Sequence, residues 1–306
     1  MTVINTNVAA TITANALTKN ERAMSQAMER LSTGQRINNA GDDAAGLAIS
    51  SRMTTYINGL DMATRNANDA ISYLQTADGA IIEITSMLQR MRELTIQASS
   101  GTMGSTDKTA LQTEFAQLQA QIQDISTDTQ WNGTTILDGQ AGSLSFQVGA
   151  NASQTIAIEV GDYNTDFNSS ESATKAASAA IFTKLDHDGT RDSSDADSTD
   201  LAELDIDDAD SGAKGPLAAL YAIDEAIDNV NADRAAIGAA INRLEYAADN
   251  LANVSQNTSA SRSRVLDADY ASETTELART QIIQQAATAM LSQANQQAQS
   301  VLALLK

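Results

Sequence analysis

The sequence contains no cysteine, one proline and one histidine, and aromatic residues make up only 4% of its 306 residues. Without cysteine, the chain has neither a disulfide framework nor thiol chemistry. Because Pro216 is the single proline, little in the chain interrupts a long helix. Aromatic side chains supply much of the core in compact enzymes, whereas Ala, Leu and Ile are accompanied here by many Gln, Ser, Thr and Asn residues. This composition favours long helices packed side by side.

Motifs for catalysis and metal binding are also missing. The single histidine, His187, excludes HExxH and every multi-histidine metal site, and its polar surroundings do not suit a Ser-His-Asp triad. Asp186 and Asp188 begin like an EF-hand loop, but Gly189 occupies the fourth position instead of the sixth. The twelfth position holds Asp197 instead of glutamate. The sequence therefore predicts a protein that is not an enzyme and has no cofactor or metal.

The charge of the chain is strongly acidic and unevenly distributed. The net charge is −20, and residues 186–210 contain eleven Asp or Glu residues and one Arg. Since such a chain repels phosphate backbones, nucleic acid is not an expected partner. No segment approaches the ~20 consecutive apolar residues that span a bilayer. The first residues lack the basic start and apolar run of a Sec-type signal. Taken alone, these features predict no membrane insertion and a cytosolic location.

Apolar residues recur at helical spacing in three internal segments. The longest series has eleven apolar positions out of twelve: Leu60, Ala63, Ala67, Ala70, Leu74, Ala77, Ile81, Ile84, Leu88, Met91, Thr95 and Ala98. A second series covers residues 111–125, and a third covers residues 220–251, shortly after Pro216. A 3.5-residue repeat keeps one face of a helix on a partner, and proline is favoured in the first turn of a helix. The spacing predicts three long helices packed against one another.

The two outer segments show narrower apolar stripes. One stripe consists of Ala10, Ala14, Leu17, Glu21, Met24, Met28 and Leu31, and the other of Ala287, Met290, Ala294, Gln297, Val301 and Leu304. Because burial of one Leu or Ile contributes about 1.5–3 kcal/mol only when a partner covers it, neither helix is expected to be stable alone. The two segments are expected to pair with each other, with copies of themselves, or with both.

The middle of the chain changes character. Residues 144–148 and 156–160 alternate with period two and predict a β-hairpin, while Trp131-Asn132-Gly133 is a turn signal. Residues 164–215 lose periodicity and are rich in Ser and Asp, apart from a short helical pattern near 171–185. These residues are interpreted as a small solvated insert. The predicted order is one helix, two helices, a hairpin, an insert and two more helices.

Both outer segments carry long motifs that identify a family. Residues 31–52, LSTGQRINNAGDDAAGLAISSR, resemble the N-terminal signature of bacterial flagellins. The motifs DADY at 267–270, QIIQQA at 281–286, SQANQ at 292–296 and VLALLK at 301–306 resemble the C-terminal signature. The resemblance covers about residues 1–160 and 216–306.

The resemblance implies a mainly α fold. In it, the N- and C-terminal segments form a long helical coiled-coil rod that carries a β-hairpin and a small central insert. It divides the chain into three parts. Residues 1–42 with 265–306 form a terminal coiled-coil core domain, residues 43–163 with 216–264 form a helical rod domain with the hairpin, and residues 164–215 form a variable insert exposed on the surface.

The implied function is that of a structural subunit that polymerises into the flagellar filament for motility. We expect the polymerisation core to consist of Leu17, Met24, Met28, Leu31, Met290, Ala294, Val301, Leu302 and Leu304. The resemblance also replaces the cytosolic expectation by secretion through the flagellum. Beyond copies of itself, it implies as partners the flagellar export apparatus, a chaperone, and the filament cap and hook–filament junction proteins.

Two alternative functions remain at the level of the sequence. A hook–filament junction protein shares the terminal-helix pattern, although the DDAAG segment at 42–46 and QRMREL at 89–94 favour flagellin. An enzyme displayed in residues 164–215 belongs to a different class, but this insert contains no catalytic constellation. Growth of long filaments by the purified protein would separate a filament subunit from a junction protein.

A second stripe on the longest predicted helix suggests a recognition surface. Arg90, Leu94 and Gln97 lie at steps of four and three, beside the main apolar series. Leu94, an apolar residue outside that series, indicates a partner, although the pattern equally allows packing within the subunit. The resemblance implies that Gln89, Arg90, Leu94, Gln97 and Glu114 match residues by which some flagellins contact neighbouring subunits and are detected by Toll-like receptor 5.

Overall fold

The computed structural model describes residues 7–139, 142–163 and 215–303. The predicted insert at 164–215, its short helix and His187 therefore lie outside the described residues, except for Gly215. In chain order the elements are α1 (Val8–Thr33), α2 (Ala44–Ala98), α3 (Ser105–Asp128), β1 (Gln130–Trp131), β2 (Thr134–Thr135), β3 (Ser143–Gln147), β4 (Thr155–Glu159), α4 (Pro216–Leu266) and α5 (Tyr270–Ala303). The mainly α fold and the order of its elements are as predicted.

The chain divides into two compact units. Unit 1 comprises Met1–Asn58 and Val254–Lys306, and unit 2 comprises Gly59–Asn253. The boundary expected from the sequence at 42/43 lies in the connection between α1 and α2, and the one at 264/265 lies in the last turn of α4. The division into compact units falls further inside the helices α2 and α4.

Unit 1 is built on an antiparallel pair formed by α1 and α5. The Asn7 side chain donates a hydrogen bond to the Ala294 carbonyl at 3.2 Å, and Asn20 donates one to the Thr280 carbonyl at 2.8 Å. Further along α1, an Arg30 guanidinium nitrogen lies 3.0 Å from a Glu273 carboxylate oxygen. Of the pairings that the sequence left open, the structure therefore contains the one between the two outer segments of the same chain.

The connections that follow α1 and precede α5 are hydrogen-bonded to each other. Gly34 ends α1 with a φ of +71°, a backbone conformation that favours glycine. The Gly34 carbonyl accepts a hydrogen bond from the Ala268 N–H at 2.9 Å, and the Arg36 N–H donates one to the Leu266 carbonyl at 2.7 Å. These bonds tie residues 34–36 to residues 266–268, so the two connections form one element.

Asp42 organises the rest of the first connection. One carboxylate oxygen accepts hydrogen bonds from the backbone N–H groups of Asn39 and Asn38, at 3.0 and 3.2 Å. The other accepts a hydrogen bond from the Gln26 side-chain amide at 2.9 Å. These bonds, led by those from the Asn39 and Asn38 backbones, lower the pKa of Asp42. The carboxylate thereby holds a turn that buries Ile37.

The core of unit 2 joins α2, α3, α4, the β3–β4 hairpin, and Ile136 and Leu137, which follow β2. All twelve positions of the apolar series predicted on residues 60–98 are buried, which confirms that prediction. Phe115 and Ile122 contribute from α3, and Ile223, Val230 and Leu244 contribute from α4. Helix α4 begins at Pro216, as the preference of proline for the first turn predicts.

Both strand pairs occur close to the predicted positions. β3 and β4 pair antiparallel, with Ser143 opposite Glu159 and Gln147 opposite Thr155, each strand one residue earlier than predicted. β1 and β2 form a two-residue hairpin in which Asn132 and Gly133 have φ values of +51° and +80°. Positive φ at both positions is the requirement of a type I′ turn, for which Asn-Gly is the preferred sequence.

The residue before the insert is anchored in unit 2. Tyr163 is fully buried, and its hydroxyl donates a hydrogen bond to an Asp233 carboxylate oxygen at 2.9 Å. The same oxygen accepts the Gly161 N–H at 3.0 Å, and the Tyr163 N–H donates to the Leu137 carbonyl at 2.8 Å. Burial, followed by the Asp233 charge, strongly raises the pKa of Tyr163.

Candidate functional site

The α1–α5 contact is a regular heptad seam. Its members on α1 are Ala10, Thr13, Leu17, Asn20, Met24, Ala27 and Leu31, and those on α5 are Glu273, Leu277, Thr280, Gln284, Ala287, Leu291 and Ala294, all buried or half-buried. Steps of three and four alternate along both helices, which is the spacing of a coiled coil. This seam contains Leu17, Met24, Leu31 and Ala294 from the predicted polymerisation core.

Two other predicted core residues face away from this seam. Met28 is 55% exposed and Met290 is 61% exposed, so the expectation that they are seam residues of their helices is wrong. Ala27 and Leu291, one position away, occupy the seam instead. The error arose because each helix has apolar residues on more than one face, and the sequence pattern fits two phases. The side chains of Val301, Leu302 and Leu304 lie outside the described residues.

The outer faces of α1 and α5 carry a set of exposed apolar side chains. They are Val8 and Ile12 on α1, and Ile282, Ile283 and Met290 on α5. Single exposed apolar residues are normal on a protein surface, but several on one helix pair indicate an interaction surface. We call this set the outer apolar face. Burial of each residue would contribute about 1.5–3 kcal/mol if a partner covered it.

Charge is separated between the two units. Residues 1–58 and 254–306 together contain nine Lys or Arg and eight Asp or Glu residues, so unit 1 has a net charge of +1. The remaining residues, which form unit 2, have a net charge of −21, and the two units together give the −20 of the whole chain. Copies of unit 1 can therefore approach one another with little electrostatic repulsion, whereas copies of unit 2 repel.

The residues of the proposed recognition stripe divide into two groups. Gln89, Arg90, Gln97 and Glu114 are exposed. The Arg90 guanidinium lies 2.9 Å from carboxylate oxygens of Glu93 and Glu114, so it connects α2 to α3. The hydrogen bonds to Glu93 and then Glu114 raise the pKa of Arg90, which remains a cation held in a fixed position.

Leu94 belongs to the interior. It is 0% exposed and is part of the unit 2 core, so of the two alternatives that the sequence left open it packs within its own subunit. A helix that packs between two others buries a stripe wider than two positions per heptad, and Leu94 falls within that wider stripe. In this part of α2 the exposed apolar residues are instead Ile82 and Ile96, which the sequence pattern did not single out. They lie two heptads apart with Gln89 midway between them, and this spacing could have identified them.

Within residues 7–139, 142–163 and 215–303, no group of three or more His, Asp or Glu side chains could hold a metal ion. None of the helices in this part of the chain is long and apolar enough to cross a membrane.

Comparison with known proteins agrees with the motifs. Residues 4–142 match the family model for the bacterial flagellin N-terminal helical region, and residues 220–305 match the one for the C-terminal helical region. The chain is 42% identical over 315 residues to a Bacillus subtilis flagellin, covering 99% of both chains. It is 43% identical over 281 residues to a Halalkalibacterium halodurans flagellin, covering 92% of this chain and 91% of that one.

Among solved structures, Bacillus cereus flagellin is 26% identical, with a TM-score of 0.44, and covers 61% of this chain and 88% of that one. The two family-model matches include α1, α2, α3 and α5 in full and all but the first residues of α4.

Proposed function

Because this chain belongs to the bacterial flagellin family, it is a structural subunit of the flagellar filament, and we propose that it polymerises through the outer apolar face of α1 and α5. The observation that carries the proposal is the set of exposed apolar side chains on a helix pair whose own seam is already closed. Because α1 and α5 cover each other on one side only, the opposite side is available to neighbouring subunits.

The charge distribution supports this choice of surface. A filament packs many copies of the same unit at close range, and like charges at such distances oppose assembly. Unit 1, with a net charge of +1, suits that packing, whereas unit 2 carries nearly all of the net negative charge and suits a position near solvent. Filament growth should therefore accelerate with added salt, because salt screens the repulsion between copies of unit 2.

Truncation tests the role of the helix pair. Removal of residues 1–40 or 270–306 deletes one helix of the pair and should leave a monomer whose unit 2 still unfolds cooperatively. Electron microscopy after seeding should show long filaments only for the intact chain. Deletion of residues 168–212 is the matched control, because it removes a segment of similar size and should preserve filament growth. Filaments formed by either terminal truncation would contradict the proposal.

Point substitutions on the outer apolar face sharpen this test. Ile12→Asp and Met290→Asp place a charge on this face and should block filament growth, since an unpaired charge is costly to bury between subunits. Neither substitution should unfold the monomer, because both side chains are exposed there. If these variants assemble as well as the intact chain, the neighbouring subunit contacts another face.

The second part of the proposal concerns recognition of the exposed residues Gln89, Arg90, Gln97 and Glu114. We propose that they contact neighbouring subunits in the filament and Toll-like receptor 5 in the monomer. The support lies in the exposed cation of Arg90, which Glu93 and Glu114 hold in place, and in the nearby exposed Ile96. Arginine beside an apolar side chain is a common composition of binding hot spots.

A reporter-cell assay tests the receptor contact. Arg90→Ala should weaken the response to pure monomer, whereas Arg243→Ala, which removes an exposed arginine from α4, should leave it unchanged. Filaments should give a weaker response than the same mass of monomer, because assembly covers the surface. Absence of any response to the unsubstituted monomer would exclude the receptor contact and leave the subunit contact untouched.

We also propose secretion through the flagellar export apparatus with the help of a chaperone, and contacts with the cap and hook–filament junction proteins during assembly. The lack of cysteine supports this route, because no disulfide has to form or break while the chain passes through a narrow channel. In a flagellated host, loss of the export apparatus should retain the chain inside the cell. The proposed role is structural rather than catalytic.

A further inference from the structure

Sulfur occurs in this chain only as methionine, because the sequence has nine Met and no Cys. Within residues 7–139, 142–163 and 215–303, Met91 is fully buried, four methionines are half-buried, and the exposed ones are Met28, Met62 and Met290. A peroxide oxidises the methionine thioether to the sulfoxide. Since the oxidant has to reach the sulfur, the exposed methionines should react first.

Of the exposed methionines, Met290 lies on the outer apolar face. It is 61% exposed, and it follows Ile283, which is 41% exposed, by about two turns of α5. Met28 follows Ile12 by about four and a half helical turns, so it lies on a different side of α1. Met62 belongs to unit 2. Among the described residues, Met290 is therefore the methionine that is both exposed in the free subunit and part of the surface proposed for assembly.

We propose that Met290 is a modification site at which a peroxide blocks filament growth by oxidising the thioether of the free subunit. The sulfur attacks one peroxide oxygen, and the S–O bond forms as the O–O bond breaks. A proton then passes from the new S–OH group to the departing hydroxide, which leaves as water. The sulfur is oxidised by two electrons, and the peroxide is reduced by the same two electrons.

The sulfoxide affects assembly and leaves the fold of the subunit intact. In the free subunit Met290 faces solvent, so water can solvate the new S–O group without any change in the α1–α5 seam. When a neighbouring subunit covers this face, the sulfoxide oxygen has to lose that water, which is costly unless a hydrogen-bond donor replaces it. This inference rests on the proposed function, because it requires that the outer apolar face is covered in the filament.

Limited oxidation of the full-length monomer tests the site. Monomer is treated with hydrogen peroxide below the concentration at which filaments grow, catalase removes the excess, and seeds are added. Peptide mass spectrometry gives the oxidised fraction at each methionine, and unoxidised Met91 confirms an intact core. The fraction of subunits that stays unassembled should equal the fraction oxidised at Met290. Methionine sulfoxide reductase should restore growth. Reduced Met290 without restored growth would contradict the proposal.

Leucine variants assign the effect to one sulfur. Met290→Leu keeps an apolar side chain of similar size, so it should assemble and should continue to assemble after peroxide treatment. The double variant Met28→Leu with Met62→Leu is the matched control, because it removes two exposed sulfurs and should remain as sensitive as the unsubstituted chain. Equal sensitivity of Met290→Leu and the unsubstituted chain, or protection in the double variant, would overturn the inference.

Met290→Gln gives the same test without an oxidant, since its amide is polar and of similar length to the sulfoxide. It should raise the subunit concentration needed for filament growth by roughly tenfold, the change expected when burial of one apolar side chain no longer contributes. Circular dichroism should match that of the unsubstituted monomer. If Met290→Gln assembles normally while Ile12→Asp does not, the inference fails and the proposed function stands. Normal assembly of both Ile12→Asp and Met290→Asp overturns the proposed function itself, and the inference with it.

Discussion

Leu94→Ala separates a structural role of this residue from a role in recognition. The leucine side chain is fully enclosed by the unit 2 core. Its truncation removes the buried methyl groups and leaves a cavity, which together cost about 2–5 kcal/mol in the free energy of unfolding. Total stabilities of about 5–15 kcal/mol make this a large loss. The urea midpoint of unit 2 should therefore fall by about 1–2 M with little change in slope.

Ile96→Ala is the matched control for this substitution. It truncates an aliphatic side chain two residues further along the same helix, but Ile96 is 49% exposed. Its effect on the free energy of unfolding should stay within about 0.5–1 kcal/mol. Urea unfolding of both purified monomers, followed by circular dichroism, gives the comparison. Equal midpoints for the two variants would refute the assignment of Leu94 to the core.

The same two variants belong in the receptor assay. If Leu94→Ala weakens the response only at temperatures where unit 2 begins to unfold, Leu94 acts through the fold. If Ile96→Ala weakens it at every temperature, Ile96 contacts the receptor. A fully folded Leu94→Ala monomer with no response would show that the leucine contributes directly, against its buried position.

Three further predictions concern the Tyr163 hydroxyl, the Asp42 carboxylate and the insert. Tyr163→Phe should lower the free energy of unfolding at pH 7 by about 1 kcal/mol, because the hydrogen bond to Asp233 is lost. Since burial raises the pKa of Tyr163, the unsubstituted chain should lose stability as pH rises above about 10. This loss of stability should be smaller in Tyr163→Phe, which has no hydroxyl to ionise. Since the pKa of Asp42 is lowered, its stabilisation is present above the unfolded pKa and is lost as pH falls through the folded value, so Asp42→Asn should flatten the acid side of the melting profile of unit 1. Deletion of residues 168–212 should leave the melting of unit 1 unchanged, and a large shift in either direction would contradict the independence of the insert.

The long helices of unit 2 were predictable because their pattern is repeated many times. Twelve positions from Leu60 to Ala98 keep one phase, and each of them is buried. A single misleading residue cannot change a phase that so many others define. The turn at Asn132-Gly133 was predictable for a local reason, since few other sequences accept positive φ at both positions.

The details of α1 and α5 were harder to predict, because a filament subunit needs apolar residues on more than one side of these helices. Met28 and Met290 are as apolar as the seam residues beside them, so hydrophobicity alone cannot separate the internal from the external face. Asn20 was missed for the opposite reason: an asparagine in a helix suggests solvent, and only the partner helix reveals the carbonyl to which it binds.

The antiparallel pairing of α1 with α5 makes the folding of unit 1 depend on the presence of both ends of the chain. Asn20 and Thr280 are 260 positions apart along the chain, so α1 has no partner until nearly the whole polypeptide has been made. Closing so long a loop is slow compared with forming the local contacts of unit 2. A chain interrupted before residue 270 can complete most of its local structure yet never cover the seam of α1. Such a chain has an uncovered apolar stripe on α1. Because it lacks α5, it also lacks that helix's part of the outer apolar face and cannot pack against neighbouring subunits as an intact chain does.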